Sequence, residues 1–216
     1  MKVNLISYSQ GTDGKNLLDQ VAYAARVSNP ANQNNTETSE KLVRYLMKHQ
    51  HWSPLEMVSV CLEIDTTRDI ARQILRHRSF SFQEFSQRYA DPTKDLGFIR
   101  RDARLQDTKN RQNSIENDDF VLQTRWQQEQ QKVIMQAQEA YAWAIENGIA
   151  KEQARAVLPE GNTESRLYMN GTLRSWVHYI QLRSANGTQK EHREIAIACA
   201  EAIKPIFPMI EEFISE

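Results

Sequence analysis

The stretch Arg76–Tyr89 reads RHRSFSFQEFSQRY and is the most informative part of the chain. Its fourteen residues include three arginines, a histidine, a glutamate, two glutamines, three serines and three phenylalanines. Unpaired guanidinium groups are very costly to bury, so this composition does not fit an ordinary core segment. Guanidinium groups bind phosphates bidentately and stack on planar rings. The stretch therefore predicts a site for an anionic, planar ligand.

The residues before this stretch predict a strand followed by a helix. Apolar and polar residues alternate over 58–65, which is typical of a half-buried strand. Thr66 is the expected N-cap of the next helix, with Asp69 three residues later. On that helix Arg68, Arg72 and Arg76 follow one another at i, i+4 spacing. The helix therefore brings Arg76 to its end, where the chain is expected to enter a Ser/Phe/Gln loop.

The rest of the chain is predicted to be mostly helical. Residues 2–8 favour an opening strand, and helical spacing recurs in six further segments, at 16–27, 38–49, 119–147, 151–158, 173–183 and 188–203. Residues 28–36 are predicted as a polar loop, 91–118 as a polar surface excursion, and 160–171 as extended or looped, with Gly161 and Gly171 as breakers. Trp126, Trp143 and Trp176 occupy apolar helical positions and are expected in the core. Strands and helices do not alternate regularly, which disfavours a doubly wound sheet.

Composition limits the classes of protein that the chain can represent. The chain has 216 residues with 27 Lys and Arg against 28 Asp and Glu, so its size fits one domain and no global field attracts nucleic acid or membrane. No apolar run approaches the ~20 residues that span a bilayer, and the N-terminus does not resemble a signal peptide. Cys61 and Cys199 are too few for a disulfide framework, which favours a reducing, cytoplasmic setting.

The sequence contains no motif for two common classes of binding site, metal sites and glycine-rich phosphate loops. No two histidines share a ligand spacing beside carboxylates, so no metal site is predicted. Neither a GxGxxG after a strand nor a GxxxxGK[ST] motif occurs, so a bound nucleotide would be held by side chains and not by a glycine-rich loop.

The spacing in the central stretch resembles a family signature. Arg76-His77-Arg78, then seven residues, Ser86 and Arg88-Tyr89 are similar to the signature of the flavin-dependent thymidylate synthases. Further segments resemble the family in the same order: 24–28 (AARVS), 51–56 (HWSPLE), 155–159 (RAVLP), 173–175 (LRS), 182–183 (LR) and 189–191 (QKE). The resemblance thus covers nearly the whole chain.

The resemblance implies an activity and an architecture. The family methylates dUMP to dTMP with methylenetetrahydrofolate as carbon donor, and electrons from NADPH reach the substrate through FAD. The implied fold is α/β of the α+β type: a helix-rich single domain over 1–216 around a small, mostly antiparallel sheet. The implied assembly is a homotetramer with active sites between subunits.

The resemblance also assigns residues to dUMP. These are Gln73, Arg76, Glu84, Ser86, Gln87, Arg88, Arg155 and Arg183. Arg88 and Arg155 are the expected phosphate clamps, because a guanidinium fork matches phosphate geometry. Glu84 cannot donate when ionised, so it is expected to accept from a sugar hydroxyl or to orient an arginine or the flavin.

Arg183 is the expected catalytic residue. A cation at the uracil edge favours ionisation at N3, and the resulting anion makes C5 nucleophilic without an attacking cysteine. The alternative for Arg183 is a helix-end arginine that pairs with solvent or a carboxylate. Cys61 and Cys199 are both expected to be small buried side chains.

The FAD contacts implied by the resemblance share hydroxyl, imidazole or guanidinium groups in most cases. They are His51, Ser53, Arg76, His77, Arg78, Ser79, Glu84, Thr172, Leu173, Arg174 and His178. Cations of the RHR triplet are expected near the flavin, where they stabilise its reduced, anionic ring. His49 and His192 are expected to be surface or structural residues.

Two other functions remain open from the residues alone. The RHR triplet and its phenylalanines could form a stacking platform of a single-stranded nucleic-acid-binding module, although the balanced charge opposes this. A flavoprotein that only oxidises NADPH is the other alternative.

Overall fold

Four antiparallel strands form the main sheet. In this computed structural model, residues 1–215 are described; Glu216, the last residue of the domain predicted over 1–216, lies outside the described residues. The strands are β1 Lys2–Tyr8, β2 Ser59–Thr67, β3 Phe80–Glu84, β4 Leu105–Gln106, β5 Ser114–Ile115 and β6 Glu164–Thr172. The main sheet has the order β1-β2-β6-β3, and β4 pairs only with β5. The small antiparallel sheet implied by the family resemblance is therefore confirmed.

Helices make up most of the remaining structure. They are α1 Leu17–Ala25, α2 Ser39–Lys48, α3 Arg68–Ile74, α4 Pro92–Asp95, α5 Phe120–Glu146, α6 Lys151–Ala154, α7 Leu173–Ser184 and α8 Lys190–Ile203. Single 3-10 turns lie at Pro30–Asn32, Ser53–Met57, Arg155–Val157 and Pro208–Phe213. Each long helix predicted from apolar spacing is present, with ends that differ by at most two residues.

One face of the sheet carries the core and the other is polar. On β2, Val60, Leu62 and Ile64 are fully buried and belong to a core shared with α1, α2, α3, α7 and α8. On the opposite face, Glu63 accepts hydrogen bonds from Asn4 and from the Tyr168 hydroxyl. One apolar and one polar face is the usual pattern of an antiparallel sheet, and it explains the period of two in β2.

The prediction of a loop after Arg78 was wrong, because Phe80–Glu84 forms strand β3. Phe80 and Phe82 turn toward the core, while Ser81 and Gln83 are exposed. This alternation has a period of two, but the polar residues of the segment concealed it.

Gly171, predicted as a breaker, lies inside β6 and pairs with Phe80. A Cβ atom on Gly171 would lie 2.4 Å from Cδ1 of Phe80, so only glycine allows this close approach.

The helix after β2 begins one residue later than predicted. Thr67 and not Thr66 occupies the N-cap position, and its hydroxyl donates to Asp69. The same carboxylate receives Arg101 Nη2 at 2.7 Å. Arg101 therefore ties the segment 91–118 to the start of α3.

α5 is the longest helix and is bound to the rest of the chain along one narrow stripe. Its buried residues Gln130, Ile134, Ala137, Tyr141 and Ala144 recur at alternating four- and three-residue spacing. Neither α5 nor any other helix of residues 1–215 combines the length and apolarity needed to cross a bilayer.

The placement of Trp126 and Trp143 in the core was wrong, because they are 44% and 61% exposed. Trp143 lies two residues beyond Tyr141, which turns it roughly 200° around the helix away from the buried stripe. Trp126 lies four residues before Gln130, so it is on the same side of the helix as the buried stripe but beyond its first buried residue. Trp176 is fully buried as predicted, and its indole N–H donates to the Val60 carbonyl at 2.9 Å.

Candidate active site

The residues assigned to nucleotide and flavin lie around the two ends of β3. The turn Arg76–Ser79 joins α3 to the start of β3, and residues 85–89 follow its end. Five extended residues separate these two ends by roughly 14 Å. The candidate residues therefore divide into groups that are best described one at a time.

The first group, here called the His77 cluster, contains Gln73, His77, Tyr179, Arg183 and His192. Arg183 Nε donates to His77 Nε2 at 2.9 Å, across 106 positions of sequence. Burial, Arg183 and Arg76 lower the pKa of His77 to about 4, so its imidazole is neutral at pH 7. A neutral ring that accepts at Nε2 carries its proton on Nδ1.

Arg183 is partly buried and has no anionic partner in the chain. Burial is the main cause that lowers its pKa, and Arg76 acts in the same direction. Among residues 1–215, no carboxylate forms an ion pair with Arg183, whose only hydrogen-bond partner is the neutral His77. The interpretation of Arg183 as a helix-end arginine paired with a carboxylate therefore finds no partner in the described chain. Its Nη groups are available to a ligand.

Aromatic packing fixes the turn that carries His77. The His77 ring meets Tyr179 edge-on at 4.9 Å, and Phe80 meets Trp176 edge-on at 4.8 Å. Tyr179 and Trp176 are fully buried on α7, so they provide a rigid surface for the start of β3. Arg183 lies on the last turn of the same helix, which sets its position relative to His77.

His192 was expected to be a surface or structural residue, and the structure shows it fully buried. Its Nδ1 lies 3.2 Å from Gln73 Oε1 and its Nε2 lies 3.1 Å from the Tyr179 hydroxyl. Burial, Arg183, His77 and Arg76 lower its pKa to about 3. Sequence reasoning assigned no role to His192 or Tyr179. Helical spacing could have placed His192 inside, because Ile195 and Cys199 follow it at i+3 and i+7 on a buried stripe.

The second group lies at the first turn of α7. Thr172 caps this helix through a hydrogen bond from Ser175 N, and Ser175 Oγ reaches the Ser79 carbonyl at 3.2 Å. Arg174 forms an ion pair with Glu56. The residues expected to hold FAD thus include a helix N-terminus with hydroxyl and guanidinium groups beside it, a combination that suits a diphosphate.

The segment after α2 adds further candidates to this group. Trp52 packs edge-on against His178 at 4.9 Å, and Ser53 next to it begins a 3-10 turn. Burial lowers the pKa of His178, and Arg174 lowers it further. His51 is exposed and lies 6.3 Å from the Tyr45 ring.

Leu173 and Arg78 differ in what they can offer a ligand. The Leu173 side chain is fully buried, and its N–H donates to the Val58 carbonyl, so it fixes the start of α7. Arg78 is exposed, and the carbonyl of the next residue, Ser79, accepts from Ser175 in the first turn of the same helix. Phe80 and Phe82 are half-buried against the core, so they do not offer the exposed stacking platform that a nucleic-acid module needs.

Glu84 lies among arginines of α3. It accepts from Arg72 Nη1 at 3.1 Å and from Ser165 Oγ at 2.8 Å, and Arg68 Nη1 lies 3.7 Å away. Of the roles expected for Glu84, this geometry matches the orientation of an arginine.

The third group, here called the Glu152 cluster, contains Arg88, Lys151, Glu152 and Arg155. Arg88 Nε lies 3.4 Å from the Glu152 carboxylate, and Arg155 Nε donates to the Glu152 backbone carbonyl at 3.3 Å. Lys151 donates to the Tyr89 carbonyl. The two expected phosphate clamps are therefore neighbours, at the end of β3 away from Arg183.

Two more candidates lie between Glu84 and Arg88. Ser86 Oγ accepts from the Arg88 N–H at 3.4 Å, which is a turn contact. Gln87 is only 3% exposed, and its Nε2 finds no hydrogen-bond partner within residues 1–215. A buried amide without a partner is costly, so this group points to a ligand or a neighbouring subunit.

The cysteines are poor nucleophiles in this structure. Burial raises the pKa of Cys61, and it raises that of the fully buried Cys199 further. The thiolate is therefore disfavoured at both positions. Within residues 1–215, no group of three or more His, Cys, Asp or Glu side chains could hold a metal ion.

Comparison with known proteins gives the family. Residues 4–209 match the family model described as "Thymidylate synthase complementing protein". A "Probable flavin-dependent thymidylate synthase" of Paramecium bursaria Chlorella virus 1 is 49% identical over 212 residues, which cover 97% of each chain. The chain belongs to the flavin-dependent thymidylate synthases.

Other relatives agree with this assignment. The "Flavin-dependent thymidylate synthase" of Synechocystis sp. is 48% identical over 190 residues, which cover 88% of this chain and 86% of that protein. One from Thermus thermophilus is 34% identical over 194 residues, which cover 88% of this chain and 68% of that protein. In this flavin-dependent thymidylate synthase, one chain gathers Arg183 with His77, and gathers Arg88 with Arg155, at opposite ends of β3.

Proposed function

We propose that this protein methylates dUMP to dTMP with methylenetetrahydrofolate as carbon donor and NADPH as reductant, through bound FAD. Thymidylate synthesis follows from the family, and the identities of donor, reductant and flavin are the proposal. The single observation that supports it best is Arg183, a partly buried guanidinium whose hydrogen-bond partner is a neutral imidazole.

Arg183 is proposed to act on the pyrimidine. His77 occupies its Nε–H, so the Nη groups remain for the uracil edge. A cation there stabilises the anion that forms when N3 loses its proton, and C5 becomes electron-rich enough to accept the carbon. Partial burial strengthens the interaction, because water screens it less. The raised thiol pKa values of Cys61 and Cys199 support a route without a cysteine nucleophile.

FAD is proposed to bind beside the N-terminus of α7. Thr172, Ser79, Arg78 and Arg174 supply hydroxyl and guanidinium groups there, and this donor set fits a dinucleotide with a diphosphate. When bound, the flavin would supply the hydride chemistry that side chains lack. The cationic Arg76 and Arg78 would stabilise negative charge on the reduced ring.

Arg88 and Arg155 are proposed to bind the dUMP phosphate. Both already contact Glu152: Arg88 pairs with its carboxylate, and Arg155 donates to its backbone carbonyl. A phosphate would take the place of the exposed Glu152 carboxylate, since a dianion offers two guanidinium groups more charge than one carboxylate. The buried amide nitrogen of Gln87, which has no partner in the chain as described, is proposed to donate to the bound nucleotide at this end of β3.

A homotetramer with active sites between subunits is proposed as the working form. Arg183 and the Arg88–Arg155 pair lie at opposite ends of β3, and another subunit could bring the missing end to each site. α5 also exposes large apolar side chains, including Val133, Met135 and Trp143, which suit a subunit interface. The free thiols Cys61 and Cys199 fit a cytoplasmic location.

The test replaces Arg183 by alanine. We expect dTMP formation from dUMP, methylenetetrahydrofolate and NADPH to fall by at least ~100-fold, while the flavin spectrum and thermal unfolding stay close to wild type. Arg125→Ala is the matched control, because Arg125 is an exposed arginine whose ion pair within residues 1–215 is with Glu129 on the same helix. Unchanged turnover in Arg183→Ala would exclude the proposed role of Arg183. Wild-type protein that binds FAD but forms no dTMP would refute the proposed function.

A further inference from the structure

A chain of hydrogen bonds links α8 to the end of α3. It begins at Glu191, whose carboxylate forms an ion pair with Arg104 and accepts from Gln189 Nε2 at 2.9 Å. Gln189 Oε1 then accepts from Gln73 Nε2 at 2.8 Å. The segment 91–118, which supplies Arg104, is thereby connected to a residue assigned to dUMP.

The chain continues from Gln73 into the core. Gln73 Oε1 lies 3.2 Å from His192 Nδ1, and His192 Nε2 lies 3.1 Å from the Tyr179 hydroxyl. Tyr179 in turn packs edge-on against His77, the partner of Arg183. The fully buried His192 therefore lies between Gln73 and Tyr179. The resemblance assigns Gln73 to dUMP, and Tyr179 packs against the histidine that contacts the proposed catalytic arginine.

The ion pair at one end fixes the direction of every bond. The Glu191 carboxylate only accepts, so Gln189 must present its amide nitrogen to it and its oxygen to Gln73. Gln73 must then present its own nitrogen to Gln189 and its oxygen to His192. His192 consequently carries its proton on Nδ1 and accepts from the Tyr179 hydroxyl through Nε2. Reversal of either carboxamide therefore costs at least one hydrogen bond of the chain.

This direction matters because a carboxamide can present either its oxygen or its nitrogen to a ligand. Gln73 has one N–H and one oxygen lone pair left after the two internal bonds. An unrestrained carboxamide rotates by 180° and exchanges these groups. A restrained one offers a ligand a fixed donor and a fixed acceptor, with less rotamer entropy to lose on binding.

We infer that Gln189, Glu191 and His192 are positioning residues that hold the Gln73 carboxamide in one orientation toward dUMP. The inference rests on the proposed function, together with the family resemblance that assigns Gln73 to dUMP. It assigns roles that act through Gln73 and require no contact between these three residues and the substrate.

Three substitutions separate this role from simple support of the fold. His192→Leu removes both hydrogen bonds of the imidazole and fills its place with an apolar side chain of similar size. His192→Asn keeps a donor near the position of Nδ1, so it preserves the bond to Gln73 and loses the one to Tyr179. Gln189→Ala breaks the chain on the other side of Gln73, at a less buried position.

The decisive experiment is a double-mutant cycle on dUMP affinity. Titration calorimetry of dUMP into FAD-loaded protein is carried out for wild type, His192→Leu, Gln189→Ala, Gln73→Leu and the two doubles with Gln73→Leu. We expect His192→Leu and Gln189→Ala each to weaken dUMP binding by about tenfold. In the Gln73→Leu background each should change the Kd by less than about twofold, since nothing remains to be oriented. His192→Asn should stay within about threefold of wild type.

The possible outcomes are distinct. Equal losses of affinity in both backgrounds, or a His192→Asn variant as weak as His192→Leu, would overturn the inference. So would variants with a lower Tm but an unchanged Kd for dUMP. If His192→Leu does not fold, Gln189→Ala alone decides. FAD-loaded wild type that does not bind dUMP would refute the proposed function together with this inference, whereas normal wild-type binding with an additive cycle would refute this inference alone.

Discussion

The buried His192 should make the fold sensitive to mild acid. In the unfolded chain its pKa is 6.5, and in the fold burial, together with the cationic Arg183 and Arg76 and the nearby His77, lowers it to about 3. The unfolded chain therefore binds the proton more readily than the fold over the interval between these values. The stabilising contribution is fully present above pH 6.5 and is lost as the pH falls toward 3.

The size of the effect follows from the two pKa values. Between pH 7 and pH 5 the unfolded chain takes up about three quarters of a proton at His192, while the fold takes up almost none. Integration over this interval gives a loss of about 2 kcal/mol in the free energy of unfolding from this residue alone. A His192→Gln variant cannot titrate, so its stability deficit relative to wild type should shrink by about 2 kcal/mol between the same two pH values.

Urea unfolding at pH 7, 6 and 5, followed by circular dichroism at fixed protein concentration, measures this difference. The concentration is fixed because subunit association contributes to stability. His49→Gln is the control, since it removes an exposed histidine that takes no part in the hydrogen bonds of His192. A constant difference between wild type and His192→Gln across the three pH values would refute the neutral, buried imidazole.

Two further predictions concern packing and assembly. Gly171→Ala should lower the free energy of unfolding by about 2 kcal/mol in urea titrations, because the added Cβ meets Phe80 at 2.4 Å, whereas Gly161→Ala, with open space around it, should change it by less than about 0.5 kcal/mol. Equal effects of the two glycine substitutions would contradict the close approach. Trp143→Glu should shift the protein to smaller assemblies in sedimentation velocity, because a charge would replace a 61% exposed indole, while Lys41→Glu on α2 should leave the assembly intact; an unchanged assembly in Trp143→Glu would place the interface elsewhere.

The main elements of the fold could be read from local patterns. The alternation in β2 and the apolar stripes of α7 and α8 each report burial on one side, and the structure shows that burial. β3 was missed because Glu84 faces the buried side, where a carboxylate is unexpected without Arg72 and Ser165 as partners. Such partners come from distant positions, so no local pattern indicates them.

The sequence named candidate site residues, but it could not show how they are grouped in space. The resemblance named Arg183, Arg88 and Arg155 as nucleotide residues, but spacing could not show that Arg183 meets His77 across 106 positions. Nor could it show that Arg88 and Arg155 share Glu152. His192 received no role, because the hydrogen bonds that give it one exist only after α3, α7 and α8 have packed together.

The distance that β3 imposes between its two ends has a genetic consequence. If each active site takes Arg183 from one subunit and Arg88 from another, a chain that has lost either arginine still carries an intact copy of the other. Two inactive alleles, one defective at each end, would then complement one another in the same cell. In mixed oligomers, some active sites would take Arg183 from the subunit that lacks Arg88, and Arg88 from the subunit that lacks Arg183. Those sites would be complete, and thymidine-independent growth would return.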